Sequence, residues 1–540
     1  MEDFLPFSKL MKIFVADRIA PAGVTYLKEQ KGFQVIEAYG SPPEKVLELA
    51  RDAAAIIVRS ETKISAEVLA VAKDLKAVGR AGVGVDNIDV DAATERGVVV
   101  LNTPSGNTIA TAELTFTHML CGSRPIVQAG ASMRAGDWNR KAFAGTELFG
   151  KTLGICGMGR IGSEVAKRAQ AFGMHILGYD PFLTQERAET LGIVKVEFDT
   201  ILAKSDYLTV HVPLTEKTRG LFDEAAFAKM KDGVRVFNCA RGGIIKESAL
   251  ITAIESGKVA AAGCDVYESE PLSGESPLRK FPNVVLTPHL GASTKEAQEG
   301  VGLEVAQAIT ELLRNDIVHN AVNMPSVDRR ALEVLRPYLK LGEGLGAVLQ
   351  QITPGAIDKL RITYWGNVVD LDVLPLTRAI QCGYLRNISG TEVNNVNVTR
   401  KFKEMGIQVE VTQSNKESDY NEFIQVEAGS PNQEFSSVAG TLIGKAQRPR
   451  LVYLNGYDIE VNLEGAALLV LRNEDIPGIV GMLGTLLGHH SVNIANMSLS
   501  RQEGRDYALA IYELDSDPPP EALKELSEHP KIRSVHLVHA

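Results

Sequence analysis

The run Leu-Gly-Ile-Cys-Gly-Met-Gly-Arg-Ile-Gly, which carries Gly157, Gly159 and Gly162 after a short apolar stretch, constrains the fold of this chain more than any other feature. A second apolar stretch, Met-His-Ile-Leu-Gly-Tyr, ends at Asp180, 23 residues beyond Gly157. This spacing predicts a strand, a tight turn, a helix and a second parallel strand. The first glycine permits the turn, the second lets backbone approach a pyrophosphate, and the third lets the new helix lie close to its strand. The helix start offers unpaired N–H groups and a positive dipole end to the phosphates. An acid at the tip of the second strand accepts hydrogen bonds from both adenosine ribose hydroxyls and repels the extra phosphate of NADP. The pattern therefore points to NAD. Its plainer reading is an ordinary glycine-rich turn, which leaves the helix and the acid unexplained.

A chain of 540 residues exceeds what one hydrophobic core serves, so three or four domains are expected. The formal charge of -10 argues against general nucleic-acid binding, which needs a basic footprint, and any anion site must be local. Cys121, Cys156, Cys239, Cys264 and Cys382 show no paired spacing and read as reduced thiols of a cytoplasmic protein. No apolar run reaches the roughly 18 residues needed to cross a bilayer, so no membrane span is expected. The acidic start Met-Glu-Asp fits neither a secretory nor a transit peptide. Met11 opens the first plausible strand, which makes residues 1–10 an extension with little fold content. No metal is expected.

From Met11 to about Thr103, strand-like runs alternate with helix-like segments such as Pro43 to Arg51 and Ala66 to Lys73, predicting a parallel sheet with crossover helices. A helix-rich stretch from Thr108 to Arg134 separates this from a second alternating series that runs from Gly154 to His289. A helical pattern over Thr294 to Arg314, with Val301, Val305, Ile309 and Leu312 on one face, could carry the chain back to the first sheet. Beyond Met324-Pro325 come a long helix, Arg329 to Ile352, and strands around Ile362, Ile424 and Leu451, two of them joined at an Asn455-Gly456 hairpin signal. Ala467 to Ala540 reads as strand, helix, strand, strand, helix, strand, a ferredoxin-like order.

Three polar clusters follow apolar runs of the second series, where an open α/β sheet presents its ligand crevice. They are Asn238-Cys239-Ala240-Arg241-Gly-Gly, Asp265-Val-Tyr-Glu-Ser-Glu270-Pro and Thr287-Pro-His289-Leu-Gly291-Ala292. Oxidising a secondary alcohol with NAD needs a base for the hydroxyl proton, and the reverse reduction needs the same group as an acid. Histidine suits both directions. A carboxylate such as Glu270 beside His289 would stabilise the imidazolium, and Arg241 can grip a substrate carboxylate through two parallel hydrogen bonds. Each residue also has a plainer reading: His289 as a structural histidine bonded to backbone, Glu270 as a cap or surface ion pair, Arg241 as a solvated charge. Asp265 either holds the nicotinamide end or satisfies a turn.

The glycine fingerprint, His211-Val212-Pro-Leu-Thr, Asn238-Cys-Ala-Arg241-Gly-Gly, Glu270-Pro and Thr-Pro-His289-Leu-Gly together resemble the D-2-hydroxyacid dehydrogenase family, over most of Met11 to Val322. The resemblance implies Arg241, Glu270 and His289 as the catalytic trio. It also implies a cofactor site lined by Arg160, Ile161, Val212, Cys239, Ala240, Arg241 and Asp265, and by His289, Gly291 and Ala292. A Rossmann-type NAD domain (108–299) is then inserted in a flavodoxin-like substrate domain (11–107 and 300–322). Arg59 and Ser60, with Arg80 and Gly82, follow two strands of that domain and would face the cleft, where a phosphorylated three-carbon hydroxy acid needs cations at both ends. Arg140 and Lys141 would approach a neighbour's cleft in a dimer, and a homotetramer is what the long family members suggest. All of these charges could equally be ordinary surface groups.

Residues 323–460 resemble the α+β intervening domain of long members of the family. Residues 466–540, with Asn473-Glu-Asp475-Ile-Pro-Gly478 and Ser491-Val-Asn493, resemble an ACT ligand-binding domain. That resemblance implies an amino-acid effector, such as L-serine, with Asp475 on its ammonium and Asn493 reaching from the adjacent subunit. It also leaves room for a domain that serves only as dimer glue. The competing functions are another hydroxyacid dehydrogenase, such as a hydroxypyruvate or glyoxylate reductase, or an NAD-sensing binding protein.

Overall fold

The computed structural model describes residues 10–327, 329–388, 393–414, 420–430, 434–464, 467–502 and 506–540. The N-terminal extension, apart from Leu10, and the boundary set at Ala466 lie outside them. Ala53–Val58, an unbroken apolar run with all six residues buried, forms the centre of a parallel sheet covered on both faces. The strands of this sheet run in the order Phe33–Glu37, Met11–Val15, Ala53–Val58, Ala77–Arg80 and Val99–Leu101. This is the flavodoxin-like order 2-1-3-4-5.

The second sheet has seven parallel strands, with Thr152–Cys156 flanked by His175–Tyr179 on one side and Tyr207–Val210 on the other. Val234–Asn238, Val259–Cys264 and Val284–Leu286 continue it outward. The order reverses next to Thr152–Cys156, so the crevice at that switch point opens at the Gly157 turn. The helix-rich stretch is two helices, Thr108–Ser123 and Ile126–Arg134, broken at Arg124 because the residue before Pro125 is held extended.

The helix Lys295–Asn315, capped by Thr294, brings the chain back. Val301, Val305 and Ile309 bury against the Ile13, Ile57 and Leu101 face of the first sheet. A Cβ on Gly23 would stand 2.3 Å from the carbonyl oxygen of Gly302, so this helix and Pro21–Lys28 cross with their backbones nearly touching. Val322 N then donates to Val100 O at 2.8 Å.

The third sheet pairs Lys359–Gly366 parallel to Gln408–Ser414 and antiparallel to Glu422–Gly429, and extends through Ser436–Ile443, Arg448–Leu454 and Tyr457–Asn462. Asn455 and Gly456 both take positive φ, 46° and 90°, as a two-residue hairpin of the primed kind requires. The helix Arg329–Ile352 packs on this sheet, and the helix Val373–Leu385 packs along that helix, with the Thr377 hydroxyl 2.9 Å from that of Tyr364. The last unit follows the expected order: Leu468–Glu474, Ile479–His489, Ile494–Arg501, Tyr507–Leu514, Pro520–Glu528 and Ile532–Val538. Its four strands are all antiparallel. Leu341 and Leu345 share one buried cluster with Leu468, Leu509 and Val538, so the third and fourth sheets close over a common core.

Candidate active site

His289, Glu270 and Arg241 all lie just beyond the carboxyl ends of second-sheet strands. His289 Nδ1 sits 2.8 Å from Glu270 Oε2. A carboxylate only accepts, so the proton is on Nδ1 and Nε2 is left bare to take a proton from a ligand. Glu270 is braced in turn: its Oε1 accepts from Tyr267 N at 3.1 Å. The buried Tyr267 hydroxyl shares its one proton between the carbonyls of Cys264 and Thr287, at 3.0 and 2.9 Å. The two loops that bring imidazole and carboxylate together are thus tied to one ring.

His289 takes φ of +57°, a left-handed conformation unusual for a residue with a side chain. Asp265, fully buried, holds it there. Its carbonyl accepts from His289 N at 2.9 Å, and its carboxylate accepts from Leu290 N at 2.7 Å and Gly291 N at 2.9 Å. These contacts satisfy a turn, one of the two roles offered for Asp265. Cys239 is buried, and burial foremost, with the Asp265 charge behind it, pushes its thiol up.

Arg241 belongs to a turn fixed by Asn238, whose side chain donates to Arg241 O at 2.9 Å and accepts from Ala240 N at 3.0 Å. Its guanidinium crosses the seam between the first two sheets and meets Asp86, Nε to Oδ2 at 3.4 Å. Arg80 is held down to about 10 by burial first and then by the Arg241 charge, against the pull of Asp86 and with Arg59 adding repulsion. It stays charged at neutral pH, and three guanidiniums converge on this cleft. Arg80 folds back over Gly82, where a Cβ would stand 2.1 Å from its Nη1.

The Arg59 loop is shaped by a residue the sequence reading missed. Asp17 is fully buried after the first strand and accepts from the backbone N of Arg59, Glu61 and Thr62 at 2.6, 3.2 and 3.1 Å. Asn87 ties the same loop through the carbonyls of Arg59 and Thr62. A carboxylate placed directly after an apolar strand was the signal available for Asp17. Ser60 is exposed on the loop. Arg140 and Lys141 are exposed beside the helix Ile126–Arg134, on which no residue is buried.

The glycine turn is shaped for a dinucleotide. Gly157 takes φ of +98°, and a Cβ there would lie 2.5 Å from His211 O and 2.9 Å from Val212 Cγ1. A Cβ on Gly162 would lie 2.0 Å from Gly157 O, whereas Gly159 has nothing within 4 Å. Gly159 therefore leaves open space at the start of the twelve-residue helix Arg160–Ala171. Asp180 stands at the end of His175–Tyr179 and its carboxylate accepts from Met158 N at 2.9 Å and Phe182 N at 2.8 Å. Arg160 donates to Ser105 Oγ at 3.3 Å across the seam, and Ile161 is partly buried beside it. Gly291 and Ala292 close the other side, with Thr111 Oγ1 donating to Gly291 O at 2.9 Å.

In the last unit, Asp475 pairs with Arg501 at 3.0 Å, and Asn493 donates to Asp515 at 2.5 Å. Within this chain the two effector candidates thus have separate partners.

This fold is that of the D-isomer-specific 2-hydroxyacid dehydrogenases. Residues 116–291 match that family's NAD binding domain, and residues 334–455 match the D-3-phosphoglycerate dehydrogenase intervening domain. The D-3-phosphoglycerate dehydrogenase of Archaeoglobus fulgidus is 43% identical over 96% of this chain and 98% of its own length. That of Bacillus subtilis is 38% identical over 98% and 99%. The chain belongs to the D-3-phosphoglycerate dehydrogenase family. Among solved structures, a glyoxylate reductase from Paecilomyes thermophila superposes with a TM-score of 0.54 at 36% identity, covering 58% of this chain and 98% of that one. The D-lactate dehydrogenase of Aquifex aeolicus, solved with NAD and lactic acid, gives 0.52 at 28% identity, over 58% and 100%.

Proposed function

We propose that the chain is the NAD-dependent enzyme that oxidises D-3-phosphoglycerate to 3-phosphohydroxypyruvate, the first step of the phosphorylated route to L-serine. The observation that carries this reading is the 2.8 Å contact between His289 Nδ1 and Glu270, beside a cleft holding three guanidiniums. His289 Nε2 accepts the C2 hydroxyl proton, and the Glu270 carboxylate stabilises the imidazolium that forms. Arg241 exchanges its weak contact with Asp86 for the substrate carboxylate, gripped through parallel hydrogen bonds. Arg59 and Arg80, with the Ser60 and Gly82 loops, receive the phosphate. Bound NAD supplies the acceptor for the hydride that leaves C2. Gly157, Gly159 and Gly162 cradle its pyrophosphate, Asp180 holds the adenosine ribose, and Val212, Cys239 and Ala240 line the nicotinamide side with Gly291 and Ala292.

In this reading residues 11–107 and 300–322 form the substrate lobe and residues 108–299 the NAD lobe, the second boundary falling inside the returning helix. Residues 323–460 intervene before a C-terminal ACT domain that takes L-serine between Asp475 and a neighbour's Asn493. The unburied helix Ile126–Arg134, with Ile126, Val127 and Met133 exposed and Trp138 beyond it, supports a homo-oligomer, read as a tetramer that brings Arg140 and Lys141 to a second subunit's cleft.

The test is steady-state NADH formation from D-3-phosphoglycerate, D-glycerate, D-lactate and 2-hydroxyglutarate, repeated with added L-serine. The highest kcat/KM is expected with D-3-phosphoglycerate, and a preference for D-lactate or D-glycerate would overturn the assignment. Lowered turnover with L-serine is expected of the effector site.

A further inference from the structure

His118 sits on the helix Thr108–Ser123, 1% exposed, far from any role the sequence suggests for it. Its Nε2 lies 3.0 Å from Thr287 Oγ1, and Thr287 Oγ1 lies 2.6 Å from Asp265 Oδ1. Asp265 is the residue whose carboxylate and carbonyl hold residues 289–291, including the left-handed His289. The proton order along this chain is determined. A carboxylate can only accept, so the single Thr287 hydroxyl proton points to Asp265. The hydroxyl must then accept from His118, whose Nε2 therefore carries the hydrogen. Its Nδ1 is left bare, shut off from solvent and without a partner. Gly263 makes room for it: a Cβ there would stand 2.7 Å from Nδ1.

We propose that His118 is a positioning residue for the reaction, a neutral Nε2–H imidazole that fixes the Thr287 hydroxyl on Asp265 and through it the backbone that presents His289. This rests on the reading of His289 as the proton acceptor. Burial works against a charge on the His118 ring, while the Asp265 charge favours one. A ring locked neutral is what the relay needs, since a bare Nδ1 in an apolar setting costs less than a buried cation. Without the donor, the Thr287 hydroxyl is left with an unsatisfied lone pair under the loop, free to rotate away from Asp265.

Two measurements on the full-length chain test the relay. In protein labelled with 15N-histidine, the resonances lost in His118→Gln are expected to show a protonated Nε2 and a bare Nδ1. A protonated Nδ1 would overturn the proposal. In turnover of D-3-phosphoglycerate, His118→Phe is expected to lower kcat about tenfold with KM for the acid little changed, while His118→Gln, which can place an N–H where Nε2 stands, recovers most of the loss. Thr287→Val is expected to match His118→Phe, and the double variant to lose no more than either single one. Multiplying losses, or a Gln variant as poor as the Phe variant, would show that the two residues act separately. Should the unaltered chain fail to oxidise D-3-phosphoglycerate, the proposed function falls, and the labelled-histidine result still decides the tautomer.

Discussion

In the proposed mechanism Glu270 has two jobs at one imidazole: it fixes which nitrogen carries the proton, and its charge stabilises the cation formed during turnover. Two substitutions separate them. Gln can still accept from His289 Nδ1, so Glu270→Gln keeps the orientation and loses only the charge. Its kcat should fall about tenfold, whereas Glu270→Ala, which loses both, should fall by about 10² or more. Equal losses would mean that the charge does all the work. A second histidine matters for stability. His211 keeps part of its surface exposed, but its Nδ1 is shut off from solvent without a partner, and burial lowers it to about 3. The unfolded chain binds a proton at this residue near pH 6.5, so it takes up more protons than the folded one between that pH and about 3. Stability is therefore fully present above about 6.5 and is lost as pH falls through this window. The thermal midpoint should drop between pH 7.5 and 5, and His211→Gln should flatten that dependence. A slope unchanged by the substitution would assign the acid sensitivity elsewhere.

At the scale of elements, the turn and helix of residues 157–171 separate folding from binding among three glycines. A methyl at Gly162 meets the Gly157 carbonyl, so Gly162→Ala should lower the thermal midpoint and weaken NAD together, with a cost of about 1–3 kcal/mol from overpacking. Gly159 faces open space, and Gly159→Ala should fold normally yet raise the Kd for NAD at least tenfold, about 1.4 kcal/mol, because its methyl would occupy the place proposed for the pyrophosphate. Calorimetric unfolding and NAD titration of both variants check this; equal midpoints for the two would contradict it. These glycines were legible because their spacing within one turn carries their geometry. Asp17 was not, because its partners lie more than 40 residues away, and neither was His118, which looks like any polar residue on a buried helix face. The helix Val373–Leu385 escaped for a local reason. Pro375 falls in its first turn, where a missing N–H costs nothing, and Asp372 caps it through Leu374 N.

Over the whole molecule, the proposed reaction draws its chemistry and its specificity from different lobes. His289, Glu270 and Arg241 extend from the second sheet, while Arg59 and Arg80 extend from the first, and Asp86 reaches across to Arg241. The sequence pattern found both sheets and the returning helix, since each rests on continuous apolar runs. It could not show that the third and fourth sheets share a core, because that burial joins residues more than 100 positions apart. With the proposed reaction assigned to one lobe, substrate choice is expected to rest on the cations of the other. The direct measurement is kcat/KM for D-3-phosphoglycerate divided by that for D-glycerate, in the unaltered chain and in Arg59→Ala. Loss of a charge-assisted contact to phosphate should cut that ratio by about 10². A ratio that stays the same while both activities persist would remove Arg59 from the phosphate and, with it, the cationic cleft as the basis of selectivity.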